Sequence, residues 1–174
     1  MVLGSGERIF IALGSNLPGP HGDPRAQLEA ALRALATEGL RLVRCSRWYE
    51  SEPVPVSDQP WFVNGVVEVE TGLEPEALLA LLHRVEAAFG RIRRVRNEAR
   101  ALDLDLLAYG ERVMAGQPEL PHPRLQERAF VLLPLAEIAP AWRHPILGET
   151  AAVLAGKLPP GQRLRLASHG TEPA

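Results

Sequence analysis

At 174 residues, with 46% apolar and 23% charged side chains, the chain has the size and composition of one globular domain and is neither disordered nor fibrous. A formal charge of −2 excludes gross electrostatic affinity for nucleic acid, and the lone Cys45 excludes a disulfide framework or a multi-cysteine zinc site. No apolar run approaches the ~18–20 residues that span a bilayer, and no signal layout opens the sequence. A single cytoplasmic domain over residues 1–174 is therefore expected, with 167–174 as a frayed tail.

Arg8 to Leu13 reads as a short buried strand closed by the turn signal Gly14-Ser15-Asn16. Residues 24–37 open with Pro24 after the capping residue Asp23 and set Leu28, Ala31, Leu32 and Leu35 on one helical face. Residues 40–50 and 61–70 read as extended, with Cys45 a small core residue on the first of them. Between them Pro53, Pro55 and Pro60 make a stiff loop. A second helix from Pro75 to Phe89 carries Leu78, Leu82, Val85 and Phe89 as its apolar stripe and stops at Gly90, and residues 101–108 return to strand.

The order β-α-β-β-α-β is that of the ferredoxin-like split unit, an α+β fold whose antiparallel sheet carries helices packed on one face. Beyond Tyr109-Gly110 the pattern predicts additional C-terminal helices. Two short ones, Glu127–Leu133 and Leu135–Ala139, are parted by Pro134, and a last one runs over Glu149–Lys157.

The chemistry concentrates in Leu102-Asp103-Leu104-Asp105-Leu106, which holds half of the four aspartates. On a strand the leucines point one way and the two carboxylates the other. Like charges so close are favourable only with solvent or cations between them. Mg²⁺ commonly takes one or two carboxylates and completes its shell with substrate phosphates, and paired metals sit ~3.5–4 Å apart in phosphoryl-transfer sites. The plainer alternative is a half-exposed strand with a polar face. Just upstream, residues 90–100 hold five arginines and one acid, which suits guanidinium clamps on a polyphosphate but equally a solvated face or an RNA patch. Neither a Walker-type loop nor Gly-x-Gly-x-x-Gly occurs. Phe62 and Asn64 share a strand face opposite Val63, an aromatic beside a carboxamide as a planar heterocycle requires. His122 sits between Pro121 and Pro123, placed either for a phosphate or for solvent. A ferredoxin-like RNA-binding module and a different Mg²⁺-dependent nucleotidyl enzyme are the competing readings of these features.

Six ordered motifs narrow the choice: Ile11-Ala-Leu-Gly-Ser-Asn-Leu17, Tyr49-Glu-Ser-Glu-Pro53, Asp58-Gln-Pro-Trp-Phe-Val-Asn64, Glu86 with Gly90-Arg-Ile-Arg93, Arg100-Ala-Leu-Asp-Leu-Asp-Leu106, and Pro121 to Phe130 followed by Pro134 to Pro140. Through about residue 140 the sequence resembles the 6-hydroxymethyl-7,8-dihydropterin pyrophosphokinase family of the folate pathway. The resemblance implies transfer of pyrophosphate from Mg-ATP to the pterin's hydroxymethyl oxygen, with AMP leaving. It implies two Mg²⁺ on Asp103 and Asp105, and catalytic contacts of Arg91 and Arg100 with the triphosphate. Phe62 and Phe130 match the aromatic pair around the pterin, Asn64 its edge reader, and Ser51 and Val54 the main-chain side of that pocket. His122 and Arg128 match ATP contacts, with Glu86, Arg93 and Arg94 as further nucleotide-side positions. It further implies small-molecule substrates, neither nucleic acid nor membrane as partner, and a monomer or a dimer. The sequence departs from the family where Asn97-Glu98-Ala99 precedes Arg100 and where Pro123 follows His122.

Overall fold

The computed structural model describes residues 7–53, 55–90 and 101–167. Its centre is β1 (Ile9–Ser15), buried along its whole length because it lies between two antiparallel neighbours. These are β4 (Phe62–Glu70) and β5 (Asp103–Tyr109). Beyond β4 the sheet divides. β2 (Arg41–Cys45) pairs with the far end of β4, and β3 (Tyr49–Ser51) pairs with Phe62–Asn64. A last strand, β6 (Leu164–Leu166), joins the outer edge of β3, and every strand pair is antiparallel.

The extended stretch expected over 40–50 is thus two strands, and the break has a local cause. The Ser46 hydroxyl accepts the Val66 amide at 3.0 Å, taking the place of a main-chain acceptor. The Trp48 ring crosses Gly65 so closely that a Cβ there would meet Cζ3 at 2.5 Å. Cys45 is exposed, not part of the core as the sequence suggested.

Alternation sends the strands' side chains into two cores. Ile9, Ile11, Leu13, Val67, Val69, Leu104 and Leu106 meet α1 (Pro24–Thr37) and α2 (Pro75–Ala88), which supply Leu28, Leu35, Leu78 and Leu82. Asp23 caps α1 by accepting the Ala26 amide at 2.9 Å, with Pro24 in the first turn. On the other face Phe10, Ala12, Val66 and Leu107 pack against α3 (Ala129–Ile138) and α4 (Ala151–Ala155).

Pro134 does not divide α3. A proline within a helix costs ~3 kcal/mol, but α3 buries Val131, Leu132, Leu135 and Ile138, and each full burial contributes ~1.5–3 kcal/mol. α4 is shorter than expected, starting after Thr150, whose hydroxyl accepts the Val153 amide at 3.2 Å. No helix among the described residues is long and apolar enough to cross a membrane.

Candidate active site

One row of the sheet brings two of the singled-out positions together. Gly14 pairs with Asn64 on one side and with Asp103 on the other, and two rows along the strand Asp105 lies beside Ala12. Asp103 and Asp105 share the α3-side face, while Leu102, Leu104 and Leu106 fill the opposite core. Both aspartates are half-buried. Gly14 leaves the middle of this row without a side chain, since a Cβ there would lie 3.0 Å from Asn64 Oδ1 and 4.0 Å from Phe62 Cδ2.

Asn64 is buried, and its Nδ2 donates to Ser51 Oγ at 2.6 Å, so strand pairing and side chain together join β3 to β4 here. The turn after β1 is held in place by Asn16, whose Nδ2 donates to Gln59 Oε1 and to the Pro60 carbonyl, each at 3.1 Å. These two bonds pin the return of the proline-rich loop next to Phe62. Among the described residues a cavity of about 240 Å³ opens beside Ser51 and is walled by Pro53, Phe130, Gln162 and Leu164. The structure therefore draws Ser51, Phe62, Asn64 and Phe130 toward one region.

His122 and Arg128 close the acid side. The His122 amide donates to the Leu107 carbonyl at 2.8 Å, which fixes the residue against β5. Its Nδ1 accepts the Arg124 amide at 3.2 Å. Burial pushes the imidazole down to about 4, the Arg128 charge adds to this, and Asp103 opposes it. The ring is thus neutral at pH 7 and carries its proton on Nε2, where it can donate to an anionic oxygen. Burial also lowers Arg128 from its ordinary value, with Arg124 adding and with Asp105 and Asp103 pulling the other way. Its guanidinium carbon lies 5.6 Å from the Phe130 ring centroid.

Glu86 stands apart from these groups. It belongs to α2, on the opposite layer from the acid pair, is 1% exposed, and its Oε2 accepts the Leu104 amide at 2.7 Å at the outer edge of β5. This nucleotide-side candidate of the sequence thus stands on the α2 side of β5, apart from His122 and Arg128. Val54, Arg91, Arg93, Arg94 and Arg100 lie outside the described residues. Sequence reasoning passed over Gly14 as a site position, although its turn motif was a signal, and over Gln162, for which no local signal exists.

Two half-buried carboxylates on one strand are a donor set that suits a hard cation sharing its shell with phosphate oxygens. Among the described residues no group of three or more His, Cys, Asp or Glu side chains could hold a metal ion, and Mg²⁺ bound by one or two carboxylates ordinarily completes its shell with water and substrate phosphates.

A family model places the chain in one class, the pterin pyrophosphokinases: that for 7,8-dihydro-6-hydroxymethylpterin-pyrophosphokinase (HPPK) matches residues 10–140. The chain belongs to this family. It is 45% identical over 141 residues to the 2-amino-4-hydroxy-6-hydroxymethyldihydropteridine pyrophosphokinase of Pseudomonas aeruginosa, covering 80% of this chain and 85% of that protein. With the protein of the same name from Methylorubrum extorquens the identity is 44% over 155 residues, covering 88% and 94%. The fold also resembles crystal structures of wild-type Plasmodium falciparum HPPK-DHPS, with a TM-score of 0.66 at 13% identity over 90% of this chain. The chain spans 45% of that longer protein, and this likeness concerns the fold alone.

Proposed function

We infer that the protein transfers the β,γ-pyrophosphoryl group of ATP to the hydroxymethyl oxygen of 6-hydroxymethyl-7,8-dihydropterin, releasing AMP, in tetrahydrofolate biosynthesis. One observation carries the assignment of roles: Asp103, Gly14 and Asn64 lie side by side in the sheet. A heterocycle read by Asn64 therefore lies within a strand spacing or two of oxygens held near Asp103, and adjacent strands are ~4.7–4.9 Å apart.

In this reading Phe62 and Phe130 flank the pterin, and Asn64, its carboxamide fixed by Ser51, offers Oδ1 to the pterin's donor edge. Ser51 and Val54 contribute from the main chain. Asp103 and Asp105 would hold Mg²⁺, two ions in all, which when bound would supply neutralisation of the triphosphate charge and polarisation of the attacked phosphorus. Arg128 presents its guanidinium to phosphate oxygens, and His122 donates from Nε2. Arg91 and Arg100 complete the clamp, with Arg93 and Arg94 as further nucleotide contacts. The hydroxymethyl oxygen forms its bond to the β-phosphorus as the bond to the α,β-bridging oxygen breaks, and the hydroxyl proton passes to solvent. Positioning and charge stabilisation supply the catalysis, as in phosphoryl transfer generally.

The strand order β5-β1-β4, followed by β2 and β3, with α1 and α2 on one face, supports the ferredoxin-like assignment. The same architecture weighs against an RNA-binding module. Such modules stack bases on exposed sheet aromatics, whereas here that face is covered by α3 and α4, and Phe10 is fully buried with its ring 6.1 Å from Trp142.

The test is direct. Protein incubated with Mg-ATP and hydroxymethyldihydropterin should release AMP in equimolar amount with the pterin pyrophosphate. Release of ADP, or no product at all in the presence of Mg²⁺, would set the reading aside, and RNA retention that weakens steeply with salt would favour the binding module.

A further inference from the structure

The first amides of a helix have no acceptor within the helix, and in α3 the N-cap residue Arg128 provides no side-chain cap. The first helical amide, that of Ala129, donates instead to Gln162 Oε1 at 2.8 Å, from 33 residues downstream. The same carboxamide's Nε2 donates to the Glu127 carbonyl at 2.7 Å. Its two prongs thus straddle Arg128 and pin that residue extended, at φ −108° and ψ 113°, between the 3-10 turn Leu125–Glu127 and α3.

Gln162 is itself tethered to the opposite wall. The Glu52 amide donates to the Arg163 carbonyl at 3.2 Å. Leu164 pairs with Ser51 in the sheet, and Arg163 lies 3.8 Å from the Glu52 carboxylate. One side chain therefore sets the spacing between the strand carrying Ser51 and the helix start carrying Arg128 and Phe130, and it lines the cavity between them. It lies beyond the stretch matched by the family model, residues 10–140.

We propose that Gln162 is a positioning residue for the reaction: it holds Arg128 and Phe130 in register with Ser51 across the substrate pocket. The inference rests on the reading of Phe130 and Arg128 as ligand contacts. A cap needed only for helix stability would use the acceptor alone. The second prong, on Glu127, fixes Arg128 from both sides.

The experiment compares Gln162→Met, which keeps the volume and loses both prongs, with Gln162→Glu, which keeps an acceptor for Ala129 and loses the donor to Glu127. Pterin affinity by calorimetry and single-turnover rate are measured well below each variant's melting midpoint, with Phe130→Ala run in parallel. Gln162→Met is expected to weaken pterin binding and slow the single turnover by about tenfold, as loss of two positioned hydrogen bonds implies, with Gln162→Glu falling between it and the parent. Parent affinity and rate in the Gln162 variants, with only a lowered melting midpoint, would overturn the proposal while Phe130→Ala still binds pterin poorly. Parent-like pterin binding in Phe130→Ala would instead overturn the pocket reading beneath it. Should Gln162→Met fail to fold, Gln162→Glu alone decides by the same two measurements.

Discussion

Glu86 on α2 and Leu104 on β5 are joined by one hydrogen bond, the buried carboxylate accepting the Leu104 amide at 2.7 Å. β5 is an edge strand, and the outward amides of an edge need an acceptor when they are buried. Leu104 is the residue between the two aspartates, so Glu86 fixes the backbone from which both project.

Glu86→Ala should therefore cost ~1–3 kcal/mol of stability, the range for stranding a buried donor. It should also raise the Mg²⁺ concentration needed for half-maximal rate, because the strand bearing Asp103 and Asp105 is loosened. Glu86→Gln retains a carbonyl acceptor and should recover most of both losses. Urea midpoints and Mg²⁺ titrations of the rate check the pair. An unchanged metal requirement in Glu86→Ala would separate Glu86 from the site.

The acids themselves should behave in the opposite way. Asp103→Ala and Asp105→Ala change half-buried side chains on the polar face, so the melting midpoint should hardly move. The turnover rate should fall by about 100-fold or more, since a metal anchor is worth several kcal/mol of transition-state stabilisation. Near-parent turnover of both variants at saturating Mg²⁺ would remove them from the reaction.

The fold and the acid pair were legible because they rest on periodicity. Alternation at 102–106 put Asp103 and Asp105 on one face, and the 3.6-residue spacing gave Leu78, Leu82 and Val85 to the α2 core, as the structure has it. What was not legible depends on contacts far apart in sequence. Pro134 reads locally as a breaker, and only the sheet beneath α3 overrides it. The interruption at Ser46–Trp48 needs Gly65 opposite Trp48. β6 is three residues long, and its place beside β3 is secured by Arg165 donating to Glu50 at 2.7 Å and by Gln162 reaching back to residues 127 and 129. Such bonds leave no periodic trace.

His122 gives a pH dependence whose sign follows from its environment. Its folded value, about 4, lies below the ordinary ~6.5 of an unfolded histidine. The unfolded chain therefore binds more protons between these values, and the stabilisation is complete above pH 6.5 and is lost as pH falls toward 4. In metal-free protein, His122→Asn should flatten this part of the stability curve relative to the parent. Chemical denaturation at intervals from pH 7 to pH 4.5 checks it. Parallel curves for the two proteins would mean that His122 is not held neutral by its surroundings.

Gly14 offers the most selective test of the heterocycle pocket. A methyl group there would stand 3.0 Å from Asn64 Oδ1, closer than such atoms normally approach. Asn64 is buried and bonded to Ser51 at 2.6 Å, so it can yield only by a few tenths of an ångström and by turning its carboxamide. A reading group turned in this way no longer meets the ligand's edge, and buried polar atoms on both sides are left poorly paired, at ~1–3 kcal/mol. Gly14→Ala should therefore weaken pterin binding by about tenfold or more while leaving affinity for a non-hydrolysable ATP analogue close to the parent's. Ser51→Ala, which removes the anchor without adding bulk, should move pterin affinity in the same direction by a smaller factor. Calorimetric titration of both variants with pterin and with the ATP analogue reads the contrast. Equal losses for the two ligands would show that the glycine serves the sheet as a whole, and unaltered pterin affinity in both variants would take Asn64 out of the pterin site.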